Sequence, residues 1–587
     1  MMKKRRIALG IACVMLANAM LAGCGKSGNE VSDENTNTQT AVEQNSAKAA
    51  FVGGWPYSTM PTGHFNMFSA NAIELKFYRE LHQLPLATYV ASEDAYEPML
   101  AESWEISEDG TEFRVKLRED VSWRTEESFT SKDVWTTFMI YRLVGNPVWN
   151  YVSDMEIVSD NEIVFFVKKP TTLILRYVLR KPMVDYLTYG EYADKVQTLL
   201  DEGKTEDSEE WTELANDFNL YRPDCVNATG PYYLDKANIS ESNIELLKNE
   251  KSFLADTVQF DKVIVYNGDV ADLTPLVMNG EVDFLTHQFP VSTMATFEQM
   301  GYETLQVPGV DGMAVYFNEA VKPLDRKEVR QALAYVIDRN QVGELALPEV
   351  SRGTKYVSGL GDSLTEEWVD VSKLIDYSAD ETKAEELLQK AGLSKNSSGQ
   401  WMREDGTVFT LSLQCPMTWA DASTAASEIA QQLTAFGIKT TVEGIDESMR
   451  QSKINEGDYQ MAMSFFGSGQ PHPMFSYETP LVMSGKGLSY EMVQDTDSCG
   501  QVDLNVLLTE ATSGWEEESQ RDAVEKLVLT VNETVPYLPV YTKWSKYITS
   551  NGMRTDWGTD DSVYKNSAGD DNFAVIKILN GELKPAK

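Results

Sequence analysis

The chain opens with a leader that decides in which compartment it folds. Lys3, Lys4, Arg5 and Arg6 precede an apolar stretch, Ile7 to Met20, broken only by Gly10 and Asn18. The small residues Ala22 and Gly23 follow. A basic start, an apolar middle and small residues at the exit mark a secretory signal. Read instead as a membrane anchor, the stretch falls short of the roughly 20 apolar residues that span a bilayer. The body is therefore expected to fold outside the cytoplasm, and at 587 residues it exceeds one ordinary core.

Leu21-Ala22-Gly23-Cys24 resembles a lipobox, in which the cysteine carries lipid and becomes the first residue once the signal, residues 1–23, is removed. Cys24 is thus the expected lipidation site, and the outer face of the cell membrane the expected location. Residues 24–50 are rich in Ser, Asn, Thr, Gln and Glu. Such a segment buries too little surface to offset its ordering entropy and reads as a tether. Cys13 leaves with the signal, and Cys225, Cys415 and Cys499 remain without any Cys-x-x-Cys pair. At most one disulfide is possible, and neither a zinc ribbon nor a redox motif is supported. His64, His82, His287 and His472 lack metal-ligand spacing, so no metal and no cofactor is expected. A formal charge of −39 excludes nucleic acid as a partner, because little could neutralise its phosphates.

Patterning along the body predicts α/β structure. Trp104 and Ile106 alternate before Asp109-Gly110, and Phe113, Val115 and Leu117 after it, which predicts a hairpin. A second is predicted around Asp160-Asn161, between Met155–Val158 and Glu162–Val167. Thr130-Ser131-Lys132-Asp133 reads as a capping box for a helix carrying Val134, Phe138 and Tyr141. The apolar run Val263–Tyr266, the helical pattern of Ala271–Met278 and the strand Val282–Leu285 predict a parallel strand–helix–strand unit. A second α/β region begins at Val315–Asn318. Its first helix carries Val329, Leu333, Val336 and Ile337 on one face. Ser378-Ala379-Asp380-Glu381 reads as a further capping box, with Gly392 just past the helix end. Phe409, Leu411 and Leu413 alternate as a strand, Ile429, Leu433 and Phe436 line a helix stopped by Gly437, Tyr459–Phe466 is a strand, and Val524–Val531 a late helix.

These segments, in this order, resemble the family 5 extracellular solute-binding proteins, the oligopeptide- and dipeptide-binding relatives. Five stretches carry the likeness: Pro98 to Val134, Thr229-Gly230-Pro231-Tyr232, Gly280-Glu281-Val282-Asp283, Phe317-Asn318 with Val329-Arg330-Gln331-Ala332 and Ile337-Asp338-Arg339, and Val535–Tyr541. The resemblance implies an α/β, two-lobed, periplasmic-binding-protein-like fold of the class II type with an extra inserted subdomain. Lobe one would comprise residues 51–80, 227–316 and 541–587, the insertion 81–226, and lobe two 317–540. Ligand would bind between lobes that close by hinge motion. The implied role is to capture a small polar ligand, an oligopeptide, and hand it to the permease and ATPase subunits of an ABC importer. An oligosaccharide is the competing ligand.

The same resemblance marks candidate ligand contacts. Phe465 and Phe466 would stack on the ligand. Ser468, Gln470 and His472 would hydrogen-bond it, Asn66 lies in a loop similar to one near the cleft of sugar-binding members, and Trp55 would line the cleft. Each has a plainer reading as core or loop. Arg330, Asp338 and Arg339 read as structural pairs at an exposed or lobe-facing edge rather than ligand contacts. Two departures from the family pattern stand out. Arg124-Thr125-Glu126 replaces the Asp-Gly usually found after the second Trp of the first stretch. No acid occurs between Asp458 and Glu478, where peptide-binding relatives place an Asp against the ligand's α-ammonium. The hydrolase motifs Gly-x-Ser-x-Gly and His-Glu-x-x-His are absent, as is a P-loop, so no enzymatic role is expected. An exported hydrolase and a signalling receptor on the same fold are the alternatives from other classes.

Overall fold

Alternation around tight turns builds the inserted part of the molecule. The computed structural model describes residues 49–90, 95–287, 289–307, 309–468, 472–483, 485–558 and 572–586, all within the compact unit Lys48–Lys587. Strands Ala101–Ile106 and Glu112–Leu117 form the first hairpin, and Val152–Ser159 and Glu162–Val167 the second. The two join through Glu112–Leu117 and Glu162–Val167 into one four-stranded antiparallel sheet. Thr130 and Asp133 make the reciprocal capping box of helix Ser131–Leu143. That helix packs on the sheet through Phe138, whose ring lies 4.8 Å from that of Phe165. Where the Asp-Gly turn is missing, Glu126 takes φ +80°, a left-handed position that costs a side chain about 1 kcal/mol. The Arg124 N–H donating to Ala228 O at 2.8 Å and the Arg124 guanidinium 4.0 Å from the Tyr233 ring hold the turn there.

Two further sheets form the first body. Ala50–Gly54 pairs in parallel with Lys262–Tyr266, followed by Asn243–Lys248 and Tyr232–Ile239. Val263 and Val265 are buried while their neighbours are half-buried, so the run alternates rather than being covered on both faces. The predicted parallel unit is corrected at its second strand. Phe284–Leu285 pairs antiparallel with Ser545–Thr549, not beside Lys262–Tyr266. Its link to Ala50–Gly54 is a single clasp: the Asp283 N–H donates to Val52 O, and the Asp283 carboxylate accepts from Val52 N–H at 2.8 Å. The chain's late strand Ser545–Thr549 takes the ladder instead and also pairs with Glu303–Val307.

The second body is a six-stranded sheet in the order Ser351–Gly353, Tyr537–Lys543, Asp311–Phe317, Met461–Gly467, Thr410–Pro416 and Lys439–Ile445. Helices cover it on both faces, each face with its own buried cluster, one containing Val315, Leu333 and Ile429, the other Tyr316, Phe466 and Val528. The capping box expected at Ser378 is also corrected. Asp380 caps helix Glu381–Lys390, while Ser378 Oγ donates to Asp376. Arg330 and Arg339 are structural but buried, not at an exposed edge. Arg330 Nε donates to Thr534 O at 3.0 Å and Val535 O at 3.1 Å, Nη2 to Thr534 O at 2.7 Å, and Nη1 to Leu324 O at 2.7 Å. The Thr534 and Val535 carbonyls lie at the end of helix Glu518–Thr534, whose cap Val535 has φ +47°. Asp338 caps helix Arg339–Ala346.

The chain passes between the bodies twice, from Val307 to Asp311 and from Lys543 to Ser545. The two passages touch: a Cβ on Gly309 would clash with the Lys543 carbonyl oxygen. Elsewhere the insertion meets the second body at a small seam. The Gly514 N–H donates to Pro170 O at 2.8 Å, and Gln520 Nε2 donates to Thr172 Oγ1 at 3.1 Å.

Candidate functional site

Strand direction places the site. Asp311–Phe317 starts at the crossing between the bodies, and Gly467 lies opposite Asp311 in the antiparallel partner strand. The carboxyl end of Met461–Gly467 is therefore at the crossing, and so are those of Thr410–Pro416 and Lys439–Ile445, which run parallel to it. In the first body Glu303–Val307 ends at the crossing, and Phe284–Leu285 runs the same way. His287 lies two residues beyond it, with its ring 6.2 Å from that of Trp55, which follows Ala50–Gly54. Both bodies thus present strand carboxyl ends to one place, where open α/β sheets bind ligands.

On the second body, alternation along Met461–Gly467 sends Phe465 outward and Phe466 inward. Phe465 is 38% exposed and Phe466 fully buried. Trp419, just beyond Thr410–Pro416, lies with its ring centroid 5.0 Å from that of Phe465 at 39°. The Arg450 guanidinium, from helix Glu447–Glu456, sits 5.3 Å from the Trp419 ring and 5.2 Å from the Phe465 ring. Arg450 Nη1 donates to Ser464 Oγ at 3.1 Å. Beside this group Lys543 pairs with Asp421 at 2.6 Å, and Tyr541 donates to the same carboxylate at 3.1 Å. Burial opposes the charge on Asp421, but Lys543 and the surrounding donors hold its carboxyl below the usual range. Burial, with the nearby Asp421 charge, pushes the Cys415 thiol up to about 12, which disfavours its thiolate.

On the first body Trp55 is half-buried, its ring 6.3 Å from that of Phe77 and its backbone N–H donating to Tyr266 O at 2.9 Å. The Lys76 ammonium lies 4.6 Å from the Trp55 ring centroid. Burial lowers the pKa of His287, which makes its ring neutral near pH 7.

The remaining candidates lie elsewhere or outside the description. Ser468 follows Gly467 at the strand end and is half-buried. Asn66 is fully buried. Its Nδ2 donates to Phe218 O at 3.0 Å and Tyr221 O at 3.3 Å, tying its loop to helix Glu209–Leu220. His472 is buried at the seam with the insertion. It caps helix Pro473–Tyr477 with Nδ1, and its Nε2 lies 2.9 Å from Gln520 Oε1. Gln470 and Cys24 fall outside the described residues. Sequence reasoning missed Trp419, Arg450 and His287. Trp419 and His287 each follow a predicted strand closely, which is the signal that would have found them. Arg450 sits on a helix with no apolar periodicity and had none.

A hollow of about 600 Å³ in the second body, lined by Asp338, Arg339, Tyr356 and Asp376 among others, is less suited to a ligand. Its Arg339 donates to the carbonyls of Thr354 and Tyr377. Among the described residues no group of three His, Cys, Asp or Glu side chains is placed to hold a metal, and no helix is long and apolar enough to cross a membrane.

Residues 95–487 match the model of the bacterial extracellular solute-binding proteins, family 5 (middle). The chain is 24% identical over 554 residues to a heme-binding protein A of Haemophilus influenzae, covering 89% of this chain and 92% of that one. It is 23% identical over 411 residues to a dipeptide-binding protein of Escherichia coli, covering 67% and 72%. Among solved structures it is similar to the mannohexaose-bound periplasmic oligopeptide-binding protein of an ABC transporter from Thermotoga maritima. The TM-score is 0.66 at 20% identity, over 92% of this chain and 98% of that one.

Proposed function

Since the chain belongs to the family 5 bacterial extracellular solute-binding proteins, which serve ABC importers, we propose that it captures an oligopeptide between its two lobes and delivers it to a membrane permease driven by an ATPase. Lipid on Cys24 would hold it to the outer face of the membrane. One observation supports the reading most: strand carboxyl ends from both lobes meet at the crossing, with Trp55 on one side and the Trp419–Phe465–Arg450 group on the other. Such a site offers flat apolar surface and a fixed charge, the mixture that orients a small polar solute.

The competing solute is an oligosaccharide. It is favoured by the pairing of exposed Phe465 with half-buried Trp419, suited to sugar faces, and by the absence of an acid from Tyr459 to Tyr477. Melting curves of the purified mature protein with peptide pools and with oligosaccharides decide between the two. A peptide at 100 times its dissociation constant adds roughly 2.7 kcal/mol to stability. Because no acid awaits an α-ammonium at Tyr459–Tyr477, N-acetylated peptides are expected to bind as well as free ones. Stabilisation by sugars alone overturns the peptide reading. For the anchor, Cys24→Ala is expected to release the protein from membranes, and lipid label on that variant would refute the assignment.

A further inference from the structure

At the second lobe's strand ends Arg450 is, among the described residues, a cation with no carboxylate at ion-pair distance. Lys543, its neighbour around the Phe465 ring, already pairs with Asp421. Among the described residues no carboxylate oxygen lies within 4 Å of the Arg450 nitrogens. Glu447, one turn earlier on the same helix, is the acid that acts on it electrostatically, from beyond ion-pair distance. The Tyr316 hydroxyl, the other titratable group facing it, donates to Phe465 O at 2.6 Å. The guanidinium is half-buried against two aromatic rings, and Ser464 Oγ takes one of its five N–H groups. Contact with those rings restricts the fork, and its remaining N–H groups suit a planar anion, which a guanidinium grips with two parallel hydrogen bonds. A half-buried cation lacking a counter-charge is also costly until one arrives.

From this geometry we infer that Arg450, set beside the Trp419 and Phe465 rings, is a specificity-determining residue that selects oligopeptides presenting a carboxylate to the second lobe. This rests on the peptide reading above and narrows it to acidic ligands. An α-ammonium at the same place is repelled, in keeping with the missing acid at Tyr459–Tyr477. The carboxylate has two sources, an acidic side chain and the peptide's own C-terminus. Trp419 and Phe465 supply flat surface for an apolar or aromatic residue beside it.

The test uses the full mature protein and pentapeptide pools Xaa-Xaa-Phe-Glu-Xaa, with Xaa drawn from uncharged residues. Four versions are titrated: Glu or Gln at the fourth position, each with a free or an amidated C-terminus. Wild type is expected to bind the pool with both carboxylates roughly tenfold to hundredfold more tightly than the pool with neither. Loss on the Glu-to-Gln exchange assigns the contact to a side chain, and loss on amidation assigns it to the C-terminus. Arg450→Gln is expected to abolish the preference while melting like wild type without peptide. Arg450→Lys, which keeps the charge but loses the fork, is expected to retain part of it. Equal binding of all pools by wild type, or an unchanged preference in a folded R450Q protein, overturns the assignment of Arg450 alone. Binding of none of the pools removes the peptide reading and this inference with it.

Discussion

Replacing Arg330 with Met tests how the second lobe is stitched together. The Met side chain keeps the apolar stem but strands the carbonyls of Thr534, Val535 and Leu324, all now satisfied by the guanidinium. It also strands Glu319, whose Oε2 pairs with Arg330 Nη1 at 3.1 Å and whose Oε1 is buried with no hydrogen-bond partner. Breaking one side of a buried pair costs ~3–5 kcal/mol. The cost depends on pH with a definite sign. Burial pushes the Glu319 carboxyl up to about 7 even with Arg330 lowering it. The folded protein therefore holds a proton that the unfolded chain has released, and stability falls as pH rises from the ordinary carboxylate value of 4.5 toward about 7. Without Arg330 the folded value moves higher, and the falling window extends upward by ~1.4 kcal/mol per unit. At pH 5.5 Glu319 is protonated in both folded proteins, so mainly the hydrogen-bond loss of ~1–3 kcal/mol remains. By pH 8.5 the full ~3–5 kcal/mol is expected. Urea unfolding followed by tryptophan fluorescence at pH 5.5, 7 and 8.5 measures this. Adding Glu319→Gln to the Arg330→Met protein should flatten the dependence. A cost below ~1 kcal/mol at pH 8.5, or one independent of pH, would refute the reasoning.

Two further outcomes are expected. Gly309→Ala must force the two inter-lobe passages apart, because its Cβ would clash with the Lys543 carbonyl oxygen. It should weaken ligand binding about tenfold, or ~1.4 kcal/mol, and reduce the compaction expected on binding, as read by small-angle scattering; normal compaction would show that the passage does not set the lobe angle. Asn66→Ala should cost ~2–3 kcal/mol in chemical denaturation by leaving the Phe218 and Tyr221 carbonyls unpaired. Its ligand affinity should stay within about twofold, or ~0.4 kcal/mol, and lost binding at unchanged stability would make Asn66 a ligand contact after all.

Local chemistry was legible in the sequence where a short stretch settles its own structure. The Asp109-Gly110 hairpin, the Thr130–Asp133 capping box and the Gly437 helix stop each depend on neighbours within a few residues. Readings failed where a distant strand competed. Val282–Leu285 looks like the second strand of a parallel unit, yet Ser545–Thr549, more than 250 residues later, takes its ladder. The candidate site divides the same way. Alternation assigns Phe465 and Phe466 to opposite faces but does not say which faces out. Asn66 and His472 sit in polar loop-like stretches, yet long-range partners at Phe218 and Gln520 bury them. Arg450 becomes a candidate site residue only through its closeness to Trp419, which lies 31 positions earlier in the numbering.

The paired passages have an evolutionary consequence. Residues 311–543 enter and leave the second body side by side, Gly312 standing opposite Thr542 in the ladder. A foreign segment of any length could be grafted between those two joints without rerouting the rest of the chain, provided its ends arrive as adjacent antiparallel strands. Half of the proposed ligand-facing surface is in this sense a replaceable cassette, open to exchange by recombination at two sutures.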